Sequence, residues 1–564
     1  MISLNLVKNR IIIIGITGVL VTMVACTSEK SSDKQESNKP TDYQPASNSN
    51  TDGRHHMAPP ISTTPVTTTP VTTAPIATTP ITTTPVTAPI PVAQLLLPAF
   101  KYLPVLEDAD GNPNDNVATY NLSVDANVPV NVDTPDGSWT TPMMRYNSSQ
   151  LPPVIVAKRG TRISLNVKNN LPEETTIHWH GFKIPAIQDG GPDTPILAGN
   201  SRIYNFQLVQ AAAPLWFHPH PHSATATQVY AGLAGGFVVT DDITLNLEAN
   251  KQLPSGAFDI PLLVQDRLFE ADNGTGIRNL VYQPNAMSGM LGDTVLVNGV
   301  QMPALSVETR QYRFRIYNGS NARTYDFALA NNAMFKLIGT DGGLLAQPSD
   351  VDHVLLSAGE RAEIVVDFSA YNVGESIALI SRAFAAGGMI GGALPNGAQF
   401  NVMRFDISTL VTDDVQLYAD LPANADIYNR LTEAQANGNR NFVMSMGGMG
   451  AGGMQFVING KSFDINRVDE FVTAGSTEIW TITNTSMMAH PFHAHAIQWQ
   501  VLDRNALPST GADLGWKDTV LVQPGETVRF IGHFDPTVNF GRYMYHCHIL
   551  EHEASGMMGI FEIQ

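Results

Sequence analysis

The sequence predicts an all-β protein that contains three similar β-sandwiches. From about residue 100 onward, short alternating apolar and polar runs are broken by Gly, Pro, Asn and Asp, and sustained helical periodicity is almost absent. Two markers recur about 150 to 165 residues apart: an apolar-x-Asn strand end at Asn169, Asn318 and Asn484, and a glycine-led turn at Gly199, Gly359 and Gly525. Intervals of this size predict three domains, which we expect at residues 100–245, 255–410 and 420–564.

The chain begins with the features of an export signal. Basic residues precede an apolar run at residues 11–25, which is too short to span a bilayer comfortably. The run ends in Met23-Val24-Ala25-Cys26, which resembles a bacterial lipobox, so we expect residues 1–26 to be a lipoprotein-type signal peptide with a lipid anchor on Cys26. The expected location is the periplasmic face or the cell surface, and Thr27 favours the outer membrane. An ordinary signal peptide is the alternative.

Residues 27–99 are predicted to be a disordered tether. The stretch has no apolar periodicity, and within it prolines separated mainly by threonine recur every five residues from Pro65 to Pro85. Such a composition cannot bury enough apolar surface to offset chain entropy, and proline stiffens the chain toward polyproline II. The segment therefore serves to hold a folded body away from its anchor.

Charge and cysteine content exclude two classes of function. The 51 acidic and 33 basic side chains give a formal net charge of -18, which has the wrong sign for binding nucleic acid. Only two cysteines occur, Cys26 and Cys547, and a disulfide framework is not a reasonable interpretation of them.

Histidine is scarce but clustered. Eleven of the 15 histidines fall in four short groups: His178 and His180; His218, His220 and His222; His490, His493 and His495; His546, His548 and His552. Residues i and i+2 of a strand point to the same face, so His178 and His180 converge, as do His218 and His220. In His546-Cys547-His548 the same rule sends both imidazoles to one side and the thiolate to the other. One strand can thus serve two metal sites.

The thiolate side gathers Cys547, His490, His552 and Met557. Two imidazoles, a thiolate and a weak axial thioether are the ligand set of a blue copper site that transfers electrons. The other side collects eight imidazoles, four from each terminal repeat, which suit a three-copper cluster between domains. Zinc is the competing metal, but structural zinc sites close with four ligands and need no thiolate between two imidazoles.

The sequence resembles the multicopper oxidases from about Phe100 to Gln564. The resemblance rests on HWHG at 178–181, WFHPHPH at 216–222, HPFHAH at 490–495 and HCHILEHEASGMM at 546–558. It implies three cupredoxin-like Greek-key domains and four copper ions. The implied ligands are His490, Cys547, His552 and Met557 for type 1 copper; His178 and His493 for type 2; His180, His218 and His548 for one type 3 copper; and His220, His495 and His546 for the other. His222 matches no ligand position.

The resemblance also implies a reaction. One-electron donors such as Cu(I), Fe(II) or phenols would reduce the type 1 copper, and four electrons would pass through Cys547 to reduce dioxygen to water. Asp189 and Glu553 match family positions thought to relay protons to the oxygen site.

The sequence specifies the electron donor less clearly than it specifies the reaction. The chain looks closest to the cuprous oxidases of copper tolerance, because Met444, Met446, Met449 and Met454 offer soft thioethers for Cu(I). A linker whose methionines cover apolar surface is an equal alternative. Ser486 stands where cuprous oxidases carry an acid, which keeps laccase-like or bilirubin-oxidase-like oxidation of phenols or pigments open. A copper-free scaffold and a nitrite reductase are less favoured.

Overall fold

The computed structural model describes residues 96–112, 116–387, 392–422, 428–450 and 453–564. The predicted signal peptide, Cys26 and most of the predicted tether lie outside these residues. Of the predicted tether, residues 96–99 are described, and Ala99 forms a β-bridge with Ala304. Within the described residues, no helix is long and apolar enough to cross a membrane.

The first sandwich contains eight strands and three short helices. The strands are β1 (Val117–Thr134), β2 (Gly137–Tyr146), β3 (Val154–Lys158), β4 (Arg162–Asn169), β5 (His178–His180), β6 (Ser201–Gln207), β7 (Ala213–His218) and β8 (Gly235–Thr240), and the helices are α1 (Ala186–Asp189), α2 (Thr225–Tyr230) and α3 (Asp242–Ala249). A four-stranded sheet in the order β3-β8-β7-β5 forms one layer. It carries the first two histidine pairs at or just beyond its strand ends.

The middle sandwich contains twelve strands. They are β9 (Asp259–Arg267), β10 (Thr294–Val297), β11 (Val300–Gln301), β12 (Ala304–Glu308), β13 (Gln311–Asn318), β14 (Tyr325–Leu329), β15 (Phe335–Thr340), β16 (Gly343–Val351), β17 (Val354–Leu356), β18 (Arg361–Asp367), β19 (Ser376–Ser381) and β20 (Phe400–Thr409). One of its layers continues through β11 and β1 into the first sandwich as an 11-stranded sheet. Phe100, which we expected to open the first domain, instead packs in the core of the middle sandwich.

The third sandwich contains twelve strands and one helix. They are β21 (Gly438–Gly450), β22 (Gly453–Ile458), β23 (Glu470–Val472), β24 (Thr477–Asn484), β25 (His490–Ala494), β26 (Trp499–Arg504), β27 (Leu507–Pro508), β28 (Trp516–Lys517), β29 (Thr519–Val522), β30 (Thr527–His533), β31 (Gly541–Cys547), β32 (Met558–Ile563) and α4 (Leu550–Ala554). A seven-stranded sheet faces a five-stranded sheet in the order β23-β32-β31-β25-β29. The predicted all-β fold is confirmed.

The two repeated sequence markers meet in each sandwich. Strands β4, β13 and β24 end at the marker asparagines, and each buried amide donates to two backbone carbonyls while its Oδ1 accepts a backbone N–H two residues ahead. The marker glycines donate their N–H to the carbonyls of the same asparagines, and all three have positive φ, which glycine adopts without steric cost. The repeat seen in the sequence is thus the same corner built three times.

Candidate metal centres

The first centre forms where two neighbouring strands and a short helix meet in the third sandwich. Strand β25 pairs with β31, with Phe492 opposite Cys547, and α4 brings His552 back to the same place. Cys547 Sγ lies 3.4 Å from His490 Nδ1 and 3.7 Å from His552 Nδ1, and the two Nδ1 atoms are 3.3 Å apart. One sulfur and two imidazole nitrogens therefore face a common point.

Met557 closes this group from the chain beyond α4. Its backbone N–H donates to His552 O at 2.9 Å, and its carbonyl accepts from Cys547 N at 3.0 Å. The Met557 side chain is fully buried in the same apolar core as Cys547. The sequence-predicted set of four residues is thus brought together in one part of the third sandwich.

The second centre gathers eight buried imidazoles from the first and third sandwiches. The His178 ring stacks on His495 with centroids 3.8 Å apart, and His180 stacks on His493 at 3.9 Å. Ligand-capable nitrogens lie within 4.8 Å of one another in three all-histidine groups: His178, His180 and His218; His178, His493 and His495; and His220, His495 and His546. The His548 ring lies 4.9 Å from His180 and 5.5 Å from His218.

Some ring nitrogens of this cluster are hydrogen-bonded to backbone carbonyls, and others have no hydrogen-bond partner. Nδ1 of His178, His218 and His493 donates to the backbone carbonyls of Asp189, Pro219 and Asp518, at 3.1, 2.9 and 2.8 Å. The opposite Nε2 atoms of the same three residues are buried without a hydrogen-bond partner, as are His180 Nδ1 and both nitrogens of His548. Such atoms are costly unless a metal binds them, and the carbonyls fix each ring for that purpose.

Three family models, each described as multicopper oxidase, match residues 128–243, 262–382 and 426–564. A multicopper oxidase of Staphylococcus aureus is 33% identical over 423 residues, covering 74% of this chain and 83% of that protein. The chain belongs to the multicopper oxidase family. A laccase of Bacillus subtilis is 30% identical over 478 residues, covering 75% of this chain and 90% of that protein.

Solved structures agree with this assignment. The structure of the multicopper oxidase McoA from Aquifex aeolicus is 33% identical, with a TM-score of 0.73 over 83% of this chain and 100% of that one. The expectation of cupredoxin-type domains and of a copper-dependent oxidoreductase that uses dioxygen is confirmed. The predicted ligand positions are filled by buried histidines, Cys547 and Met557, and this donor set fits copper, which disfavours a copper-free scaffold.

The imidazoles of the oxidase are held neutral. Burial lowers the pKa of all ten predicted histidine ligands, to about 4 for His490 and His546, and neighbouring imidazoles lower the pKa of His178 and His180 further. Neutral imidazole is the form that binds a metal. The fold therefore keeps the ligands ready before copper arrives.

We expect the copper-free protein to become less stable as the pH falls below about 6.5. The unfolded imidazoles take up protons there, whereas His490 and His546 in the folded protein stay neutral to about pH 4. Each such group lowers the free energy of unfolding by about 1.4 kcal/mol per pH unit. Urea unfolding midpoints measured from about pH 7.5 to about pH 5 test this expectation.

Buried acids oppose that trend. Burial raises the pKa of Asp189 and raises that of Glu553 to about 8, so unfolding releases their protons and their contribution to stability grows as the pH falls. Burial raises the pKa of four more carboxyl groups, those of Asp193, Glu248, Asp341 and Glu551. Ten imidazoles outnumber these six carboxyl groups, so the net slope should follow histidine. A midpoint that stays constant or rises toward acid would contradict the neutral-imidazole arrangement.

Both predicted proton-relay acids lie against the histidine cluster. Asp189 Oδ2 accepts from His495 Nδ1 at 2.6 Å, and its backbone carbonyl accepts from His178. Glu553 Oε2 lies 3.3 Å from His546 Nδ1, and Oε1 lies 3.6 Å from His220 Nε2. The placement of both acids suits proton transfer, and their role in it stays a prediction.

Asp518 is a site residue that sequence reasoning missed. Its Oδ1 lies 2.9 Å from His180 Nε2, and its carbonyl accepts from His493. No spacing pattern marks it, because its partners are 338 and 25 residues away. By contrast, His222 is exposed and packs beside Phe463, in keeping with its lack of a ligand position.

Proposed function

We propose that this oxidase takes its electrons from uncharged organic donors, of which phenols are the simplest, in a cavity beside His490. The observation that carries the proposal is a cavity of about 490 Å³ whose wall includes the sequence neighbours of His490, Ala489 and Pro491. Ile549, two residues after Cys547, lines it as well. A donor bound there would lie against the chain neighbours of His490, a predicted type 1 ligand.

The lining of the cavity favours neutral molecules. Its apolar part includes Phe384, Pro395, Met488 and Leu521, and the polar part is Ser288, Thr324, Asn396 and Gln523. None of the described residues of this wall carries an ionisable side chain. A charged donor would lose its hydration without gaining a counter-charge, whereas a phenol can bury its ring and keep a hydrogen bond for its hydroxyl.

Cu(I) oxidation, which the sequence favoured, is the second candidate, with Fe(II) as a related metal donor. Met488 is one soft ligand in the cavity wall. However, Ser486 Oγ, at 2.8 Å from His490 Nε2, supplies no negative charge where cuprous oxidases carry an acid. Met444 is fully buried in the third core and Met446 is half-buried against it, while the side chains of Met449 and Met454 lie outside the described residues.

The residues of the chain have separable roles in the reaction. Copper held by the predicted ligands supplies the one-electron redox chemistry, so that four donor oxidations balance the conversion of one dioxygen and four protons to two waters. Cys547 joins the two centres through the covalent backbone to His546 and His548. Asp189 and Glu553 hold protons beside the imidazoles, and the buried position of the cluster excludes the organic donor from it.

Filling the cavity should impair phenol oxidation selectively. In Ala398→Phe a larger side chain enters the space that the donor occupies, so kcat/KM for 2,6-dimethoxyphenol should fall about tenfold or more. Oxygen uptake with this phenol, with Cu(I) and with Fe(II) measures the preference. Ala370→Phe is the matched control, because Ala370 is an exposed alanine of the middle sandwich outside the cavity wall.

The outcomes separate the two candidates. Wild-type preference for the phenol, lost in Ala398→Phe and kept in Ala370→Phe, supports the organic-donor proposal. A wild-type preference for Cu(I) or Fe(II) that Ala398→Phe leaves intact would replace it with metal oxidation. Before either outcome is interpreted, the copper content of both variants should be measured and should equal that of the wild type.

A further inference from the structure

One buried aspartate contacts ligands in both halves of the histidine cluster. Asp518 Oδ1 lies 2.9 Å from His180 Nε2, so the aspartate fixes a ring from the first sandwich. Its backbone carbonyl accepts from His493 Nδ1 at 2.8 Å and fixes a ring of its own sandwich. These two rings stack on each other. A shift of the whole Asp518 residue would therefore disturb two ligands at once, His180 through the side chain and His493 through the backbone.

Asp518 is itself held by Arg361. Arg361 NH1 donates to Oδ1 at 2.6 Å and NH2 donates to Oδ2 at 2.5 Å, a two-point pairing of guanidinium and carboxylate. Gln498 Nε2 adds a third bond to Oδ2 at 2.9 Å. Both charged side chains are fully buried. Such a pair is geometrically specific, and either partner left alone would be an uncompensated charge.

Arg361 also connects all three sandwiches. It opens strand β18 of the middle sandwich, its Nε donates to Pro214 O of the first at 2.9 Å, and its terminal nitrogens reach Asp518 of the third. The two remaining N–H groups donate to Gly359 O and Asp341 O, each at 3.0 Å. All five guanidinium donors are used, which an ammonium group with three donors cannot reproduce.

A second contact of the middle sandwich lies beside the first. Gly359 has φ of +87° and packs against the His548 ring, where an added Cβ would come within 2.9 Å of three ring atoms. The turn that positions Arg361 therefore also shapes the wall behind another imidazole. The middle sandwich supplies none of the predicted ligands, yet it contacts the His548 ring directly and reaches two further imidazoles through Asp518.

We propose that Arg361 is a positioning residue through which the middle sandwich fixes His180 and His493 for copper binding. It acts through Asp518 and carries no reacting atom. The role of the middle sandwich is then to lock the two ligand-bearing sandwiches at the distance that the shared cluster requires. The proposal depends on membership of the family and is independent of which donor the oxidase uses.

The test measures copper retention in the purified full-length oxidase. In Arg361→Gln we expect the affinity of the histidine cluster for copper to fall by about 10- to 100-fold in titrations with a competing chelator, as for other residues that orient metal ligands. The type 2 copper signal in electron paramagnetic resonance should change with it. The blue absorption should persist, because Arg361 donates to none of the type 1 residues.

Matched variants separate positioning from general stability. Arg313→Gln removes another buried arginine of the middle sandwich, which pairs with Glu363 and Glu248 and with no predicted ligand. It should lower the melting temperature but leave chelator resistance unchanged. Asp518→Asn should reproduce the copper loss of Arg361→Gln, and Arg361→Lys should be intermediate, because lysine keeps the charge without the two-point geometry.

Two results would overturn the proposal. One is wild-type copper retention and an unchanged type 2 signal in both Arg361→Lys and Asp518→Asn. These two variants keep a polar side chain at the site, so they remain informative if Arg361→Gln fails to fold. The other is an equal loss of copper in Arg313→Gln, which would reduce the effect to the general stability of the middle sandwich.

Discussion

Replacing Cys547 with serine should abolish the blue absorption and reduce turnover to background while the fold is kept. The Cys547 sulfur faces Nδ1 of His490 and His552. The backbone of the same residue joins the first centre to His546 and His548. A serine hydroxyl is a hard, poor ligand for this kind of copper site. Copper analysis should find three ions per chain where the wild type holds four.

The structural cost of this change is small for a protein of this size. Cys547 is fully buried, so a hydroxyl without a good partner costs about 1–3 kcal/mol. Circular dichroism and the melting temperature should therefore stay close to those of the wild type. Met557→Leu is the matched control: the side chain is equally buried, but an axial thioether is a weak ligand, so blue colour and activity should survive.

Turnover by Cys547→Ser at a wild-type rate would remove the proposed connection between the centres. Loss of all copper from that variant would have a different meaning, because the histidine cluster would then depend on the type 1 residues for its assembly. The measured stoichiometry distinguishes these cases before any activity is assayed.

The parts of the site that strand alternation controls could be predicted from the sequence. His178 and His180 on β5 and the His546-Cys547-His548 run point as a period of two requires, because a strand has no other way to orient alternate side chains. The three-fold repeat was also visible, since Asn169, Asn318 and Asn484 each close the same corner. Both the facing of the histidines and these asparagine contacts depend on residues that are close in the sequence.

Contacts between distant segments were out of reach. Asp518 and Arg361 are 157 residues apart, and neither belongs to a spaced motif, so only the folded chain shows that they pair. Met444 shows a second limit: the sequence offered its thioether as a soft ligand for Cu(I), whereas β21 places this side chain inside the third core. Composition alone could not say which face of the strand each side chain takes.

Glu553→Gln should slow the reoxidation of the reduced enzyme by dioxygen about 10²- to 10⁴-fold, which is the range for loss of a positioned proton donor. Burial raises the pKa of this carboxyl to about 8, so at neutral pH it holds a proton beside His546 and His220. Glutamine keeps the shape and cannot give the proton up. Because Asp189 is hydrogen-bonded to His495, a change there would disturb ligand geometry as well, and Glu553 gives the cleaner test.

The measurement separates electron entry from proton delivery. Under anaerobic conditions a donor should bleach the blue absorption of Glu553→Gln as fast as that of the wild type, since Glu553 lies on the histidine-cluster side of α4. After dioxygen is admitted, the colour should return slowly. Glu551→Gln is the control on the same helix: Glu551 accepts from Tyr282 and Asn321, away from the imidazoles, so its loss should leave reoxidation unchanged. Equal slowing in both variants would mean that α4 has been distorted, and fast reoxidation in Glu553→Gln would assign proton delivery to Asp189 or to water.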